Sequence, residues 1–90
     1  RYGGDEFAVI FPETSSSEAE RLAERLRALL RDTIPDGIIT REVTASCGVA
    51  SYPQDAGGAD SLVAASDRAL YAAKRGGRDR VVVASSLEQT

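Results

Sequence analysis

Arg1-Tyr-Gly-Gly-Asp-Glu-Phe-Ala-Val-Ile-Phe11 begins the chain. A Gly-Gly pair in front of an apolar run is what a two-residue hairpin turn with positive φ requires. Gly3-Gly4 therefore predicts a tight turn, and Phe7 to Phe11 a strand leaving it. Pro12 ends that strand, because proline has no N–H to donate to a ladder. The first arm of the hairpin is reduced to Arg1-Tyr2, so the N-terminal part of the structural unit is expected to lie outside these 90 residues.

Beyond the proline, Ser15-x-x-Glu18 forms a capping box and predicts a helix start. Ala19, Leu22, Ala23, Leu26, Leu29 and Leu30 recur at helical spacing, while Glu20, Arg21, Glu24, Arg25, Arg27 and Arg31 mostly take the other faces. Pro35 and Gly37 end this amphipathic helix and lead into Ile38-Ile39. Val43, Ala45, Cys47 and Val49 then alternate with Thr44, Ser46, Gly48 and Ala50. The alternation predicts a strand to Tyr52, paired with residues 38–40 through Arg41-Glu42. Gly48 inside it marks a bulge or the close approach of another backbone.

Residues 53–58 form a turn-rich loop, and Asp60 is a candidate N-cap for a second helix. One face of that helix carries Leu62, Ala65, Ala69, Ala72 and Ala73, small side chains that imply close packing, and Gly76-Gly77 stops it. Arg80 to Ala84, built on Val81-Val82-Val83, reads as a short buried strand, and residues 85–90 as a polar tail. The order is strand, helix, strand or hairpin, helix, strand.

A chain that is 42% hydrophobic and 28% charged describes one compact unit. Its net charge of -3 argues against a nucleic-acid partner, since backbone binding needs an excess of clustered Lys and Arg. Charges interrupt every long apolar stretch, so neither a signal peptide nor a membrane span is expected. The single cysteine, Cys47, lies in an apolar run and reads as a small buried side chain rather than a reactive thiol.

Two features carry chemistry. Asp5 and Glu6 follow the Gly-Gly turn directly, placing hard oxygen ligands suited to Mg²⁺ at a hairpin tip, although acidic residues also simply solvate turns. Lys74 and Arg78 lie four apart across the glycines that end the last helix and could place two cations on one phosphate-bearing ligand. By spacing alone they read better as charges favoured at a helix C-terminus, with Arg75 and Arg80 as surface residues. A metal site and a phosphate clamp in one short chain are together the equipment of phosphoryl transfer.

Arg1-Tyr-Gly-Gly-Asp-Glu-Phe7 resembles the signature stretch of GGDEF domains, and the likeness continues along the chain. Ser46-Cys-Gly-Val-Ala-Ser-Tyr-Pro53 is similar to the family's Ser-Ile-Gly-Val-Ala strand. Residues 65–78, Ala-Ser-Asp-Arg-Ala-Leu-Tyr-Ala-Ala-Lys-Arg-Gly-Gly-Arg, are similar to its Ala-Asp-x-Ala-Leu-Tyr-x-Ala-Lys-x-x-Gly-Arg-Asn segment. Asp79 stands where the family usually has Asn, adding a negative charge beside Arg78, and Cys47 replaces a more usual aliphatic residue.

The resemblance implies an α/β (α+β) fold with a mainly antiparallel sheet flanked by helices, like the nucleotidyl-cyclase and polymerase palm folds. Residues 1–84 would form the C-terminal portion of a GGDEF domain. It implies a diguanylate cyclase joining two GTP molecules into cyclic di-GMP and pyrophosphate. Asp5 would be a metal ligand for Mg²⁺ or Mn²⁺ and Glu6 the second catalytic carboxylate; Gly3 and Gly4 would leave room for GTP, and Lys74 and Arg78 would hold its terminal phosphates. Catalysis would need a homodimer of such domains, facing the cytoplasm under an upstream sensory domain and making no direct membrane contact. The 90 residues alone are expected to be inactive, because the family's first strand with its metal-binding Asp and the phosphate and guanine contacts that follow would lie before Arg1, as would any inhibitory Arg-x-x-Asp site. The alternative is a degenerate domain that binds GTP or cyclic di-GMP and regulates a neighbour.

Overall fold

The computed structural model describes residues 8–33 and 44–88. They form a helix α1 (Ser16–Thr33), a strand β1 (Cys47–Val49), a helix α2 (Ala59–Arg75), a strand β2 (Val81–Val83) and a closing 3₁₀ helix (Ala84–Glu88). The Gly3-Gly4 turn with Asp5 and Glu6, and the expected pairing of residues 38–40, lie outside the described residues.

Both helices begin on local polar contacts. In α1 the Glu18 N–H donates to Ser15 Oγ at 3.2 Å, the Ser15 half of the expected capping box. The N-cap of α2 is Gly58 rather than Asp60, which sits in the first turn. Glycine has no side chain to cap with, so Ser61 reaches back instead: its hydroxyl accepts from the Gly58 N–H at 3.2 Å and lies 3.1 Å from the Gly58 carbonyl. Asp60 in that turn still favours the positive end of the helix dipole.

The expected antiparallel arrangement is not what the described strands form. β1 and β2 pair in parallel, in the register Cys47↔Val81, Gly48↔Val82, Val49↔Val83. The physical reason is the connection: α2 fills the chain between them, and a helical crossover returns the second strand in the direction of the first.

Three other expectations are corrected. Residues 8–11 are irregular rather than a strand, and Val9 and Ile10 remain 63% and 86% exposed, with no ladder beside them among the described residues. The strand expected over residues 43–52 extends only from Cys47 to Val49 within its described part. At its far end the Ser51 N–H donates to Asp55 Oδ2 at 2.8 Å and the Asp55 N–H to the Ser51 carbonyl at 2.7 Å, so the backbone there closes a turn instead of extending a ladder. Ala84, expected to end the last strand, and residues 85–88 of the expected tail wind into the 3₁₀ helix, where Ser86 Oγ donates to the Val83 carbonyl at 2.7 Å.

The core is built of small side chains. Ala65, Ala69 and Ala73 recur every four residues along α2 and are buried, with Ala84, Ala50 and Val82 packed close by. Gly48 explains why the face must be small. A Cβ there would lie 2.3 Å from both the Leu70 nitrogen and the Ser66 carbonyl oxygen, so β1 and α2 meet backbone to backbone. Such intimacy gains little apolar area, since one buried methyl contributes about 0.8 kcal/mol. Leu26, Leu29 and Leu30 of α1 meanwhile stay exposed.

Gly48→Ala is expected to force β1 from α2 and to destabilise the folded protein by about 2 kcal/mol or more. Urea unfolding of the full-length protein would read this as a lower midpoint; an unchanged midpoint would show that the two backbones can separate without cost.

Candidate functional site

Of the residues singled out for chemistry, Lys74 and Arg78 are described. Lys74 lies half-buried on the last turn of α2, and Arg78 is exposed in the loop just beyond it. That loop does not drift off the helix. Gly76 N–H donates to the Ala72 carbonyl at 2.9 Å, Gly77 N–H to Lys74 at 3.4 Å, and Arg78 N–H to Ala73 at 3.0 Å, folding the Arg78 backbone against the turn that carries Lys74.

Residues 77–79 all take positive φ: 117° at Gly77, 64° at Arg78 and 47° at Asp79. Glycine adopts such angles freely, Asp tolerates them, and Arg has no side-chain device that favours them. The left-handed region costs roughly 1–2 kcal/mol for a residue with a Cβ. Backbone strain therefore falls on the very cation that the sequence nominated for phosphate, as strained conformations tend to do at ligand sites.

Polar contacts from three directions maintain this conformation. The Asp79 N–H donates to Ser46 Oγ at 3.1 Å, just before β1. The Arg80 carbonyl accepts from the Cys47 N–H at 2.9 Å, tying the loop's end to the sheet. Arg80 Nε donates to the Arg78 carbonyl at 3.0 Å, and the same guanidinium lies over the two glycines, where a Cβ on Gly76 or Gly77 would come within 2.9 or 2.8 Å of it. From α1, Arg27 Nη1 donates to Asp79 Oδ1 at 2.6 Å, while its Nε and Nη2 engage Glu24 at 3.3 and 3.1 Å. Both carboxylates raise the Arg27 pKa further above its ordinary value, the Glu24 hydrogen bond contributing most. Arg75, by contrast, is accounted for on the surface: its Nη1 donates to Tyr71 Oη at 3.0 Å, with the guanidinium 5.7 Å from the ring centre.

Sequence reasoning left Arg80 as a surface residue and missed Ser46 and Arg27. Nothing local could have found Arg27, which is 52 positions from its partner. The charge of Asp79, expected to stand against the phosphates, is opposed by Arg27. Among the described residues no cluster of His, Cys, Asp and Glu could hold a metal, and no helix is long and apolar enough to cross a membrane. An open groove of about 670 Å³ lies elsewhere, between the start of α1 and β2; Ser15, Glu20, Val82 and Ser86 help line it, and Lys74 and Arg78 do not.

Comparison with known proteins places this loop in context. The profile of the family described as diguanylate cyclase, GGDEF domain, matches residues 1–80. Diguanylate cyclase A of Treponema denticola is 42% identical over 88 residues, covering 96% of this chain and 24% of that protein. The response regulator PleD of Caulobacter vibrioides is 38% identical over 85 residues, covering 91% of this chain and 19% of its own. The cyclic di-GMP phosphodiesterase PdeR of Escherichia coli is 36% identical over 83 residues, covering 92% and 13%. The chain thus spans about a quarter or less of these relatives. No solved structure matches it.

Cys47, beside the loop's anchor on β1, has its thiol pKa pushed up by burial first and by the Glu24 charge second, against a lowering by Arg27. The protonated form is thus favoured on folding. Its contribution to stability is complete below the unfolded thiol pKa of about 8.5 and is lost as pH rises through the higher folded value. Iodoacetamide should accordingly alkylate Cys47 at pH 7.5 at least about tenfold more slowly than an unstructured cysteine; alkylation at the free-thiol rate would contradict this placement.

Proposed function

This chain belongs to the GGDEF diguanylate cyclase family, and from that premise we propose that it supplies the motif carboxylates and the phosphate-holding cations of a domain that condenses two GTP molecules into cyclic di-GMP. The observation that carries this reading is the loop after α2, whose left-handed backbone presents an exposed Arg78 next to the turn bearing Lys74. Two cations at one helix end suit the terminal phosphates of a nucleoside triphosphate, Arg through its planar fork and Lys as a compact charge.

In the proposed reaction the 3'-hydroxyl of one GTP attacks the α-phosphate of the other. A bond forms from O3' to phosphorus, the bond to the β-phosphate oxygen breaks, pyrophosphate leaves with that electron pair, and the hydroxyl proton passes to water. Repetition between two facing domains closes the ring. Asp5 and Glu6 supply hard carboxylate oxygens, a donor set that fits Mg²⁺ or Mn²⁺. When bound, such an ion would lower the charge on the reacting phosphate and on the attacking oxygen. Gly3 and Gly4, having no side chains, would leave room for the nucleotide beside these carboxylates, while Lys74 and Arg78 hold the β- and γ-phosphates in line.

A second reading is favoured by one comparison: PdeR, similar over nearly the whole chain, is named for cyclic di-GMP breakdown. Under that reading the domain binds GTP or cyclic di-GMP and regulates a neighbouring domain. Either way we place it in cytoplasmic second-messenger signalling, where GTP is available.

Full-length protein given GTP and Mg²⁺ should form cyclic di-GMP, detected by mass spectrometry. Asp5→Ala should lower turnover by at least about a hundredfold, and EDTA should abolish it. A folded protein that binds GTP without making product would move the assignment to the regulatory reading.

The 90-residue chain alone is expected to make no product. With Val9, Ile10, Leu26, Leu29 and Leu30 exposed and no large side chain fully buried among the described residues, it has apolar surface still to be covered. Turnover of GTP by the purified 90-residue chain would refute this.

A further inference from the structure

We infer that Arg27 is a positioning residue for Arg78, acting through Asp79, so that a side chain on α1 sets how tightly the loop after α2 grips a nucleoside triphosphate. The inference rests on the reading of Arg78 as a phosphate-holding cation and adds to it a residue that touches no substrate.

Three observations converge on Arg27. First, Arg78 and Asp79 are consecutive left-handed residues with Cβ atoms, so the conformation needs external support. Second, the other anchors of the loop come from α2, β1 and the segment before β1 through backbone groups or Ser46 and Arg80; Arg27 adds α1 through the Asp79 carboxylate at 2.6 Å. Third, the Arg27 guanidinium is itself held: Glu24 takes Nε and Nη2 from one turn earlier, leaving Nη1 directed at Asp79. The Arg27 and Asp79 side chains keep only 20% and 28% of their exposure, so this pair is more shielded than an ordinary surface ion pair.

Loss of Arg27 would act on Arg78 in two ways. Asp79, the residue next to Arg78, would lose one of its tethers, letting the loop relax toward less strained angles. The Asp79 carboxylate would also lose a counter-charge and compete with incoming phosphates for the adjacent Arg78. Both effects reach the ligand through Arg78, and both weaken the binding of GTP rather than remove a reacting group.

The test is calorimetric binding of GTP with Mg²⁺ to the full-length protein, with thermal unfolding alongside. Arg78→Ala should weaken binding roughly tenfold. Arg27→Ala should weaken it roughly three- to tenfold, Arg27→Lys should recover most of that loss, and Arg27→Ala added to Arg78→Ala should cost nothing further. Should Arg27→Ala fail to fold, Arg27→Gln, which keeps the stem length, carries the same expectation. Wild-type affinity in the Arg27 variants, or an equal loss with and without Arg78, would overturn the positioning role. Wild-type affinity in Arg78→Ala would instead overturn the phosphate reading, and the inference with it. A fall in melting temperature with unchanged affinity would leave the Arg27–Asp79 pair as a structural tie and likewise refute the proposal.

Discussion

At Gly48 the backbones of β1 and α2 touch with no side chain between them, and the rest of the described structure follows from that contact. A methyl group there would overlap two backbone atoms of the helix. The alanines on the facing side of α2 are the complementary requirement, since larger residues at Ala65, Ala69 or Ala73 would lift the helix off the strand. With α2 laid directly over β1, its C-terminus is delivered to the start of β2, which pairs in parallel with β1. The loop of residues 76–80 is thereby fixed at both ends before any of its own interactions are considered.

What the fold leaves to that loop is orientation. Phosphate recognition needs cations held in place rather than merely nearby, because ordering a long side chain at the moment of binding subtracts from affinity. Backbone donors to Ala73 and Lys74, the Ser46 hydroxyl, the Arg80 guanidinium and the Arg27–Asp79 pair together hold a backbone conformation that Arg78 would not choose by itself. Few of these contacts adds much stability alone. Their joint effect is that the Arg78 backbone is fixed against the last turn of α2, which carries Lys74.

Much of this was legible in the sequence wherever the determining physics is local. Ser15 and Glu18 marked the start of α1, the alanine spacing marked the inner face of α2, and Gly76-Gly77 marked its end, because caps and helical periodicity act within a few residues. The close approach at Gly48 was one of two readings, and the structure selects it over a bulge. The helix read between the two strands already implied their parallel direction, which the family-based antiparallel expectation overrode; what no spacing rule supplies is the register that joins Cys47 to Val81. The strand ending at Tyr52 was overextended because alternating small residues satisfy the pattern equally well when Asp55 captures the Ser51 N–H. Gly77 announced its positive φ, whereas Arg78 and Asp79 could not, since theirs are imposed by contacts from other elements. Lys74 and Arg78 were nominated by spacing and motif, whereas helical spacing reads Arg27 as one more solvated charge and gives no sign of its tie to Asp79.

An Asp at position 79 poses an electrostatic problem that the loop must solve. Its short carboxylate suits a left-handed residue, yet it sits next in sequence to Arg78, the cation proposed to hold phosphate. A carboxylate there can engage the neighbouring cations and so compete with the ligand, and at such short range salt screens the competition poorly. Arg27 changes the balance by offering a partner from a different helix, and Glu24 keeps that partner in place. Asn, the residue usual in the resembling family, would demand no such counter-charge because it is neutral. The ion pair on α1 therefore makes sense as the compensation that lets an acidic residue occupy this turn while Arg78 remains available to a phosphate.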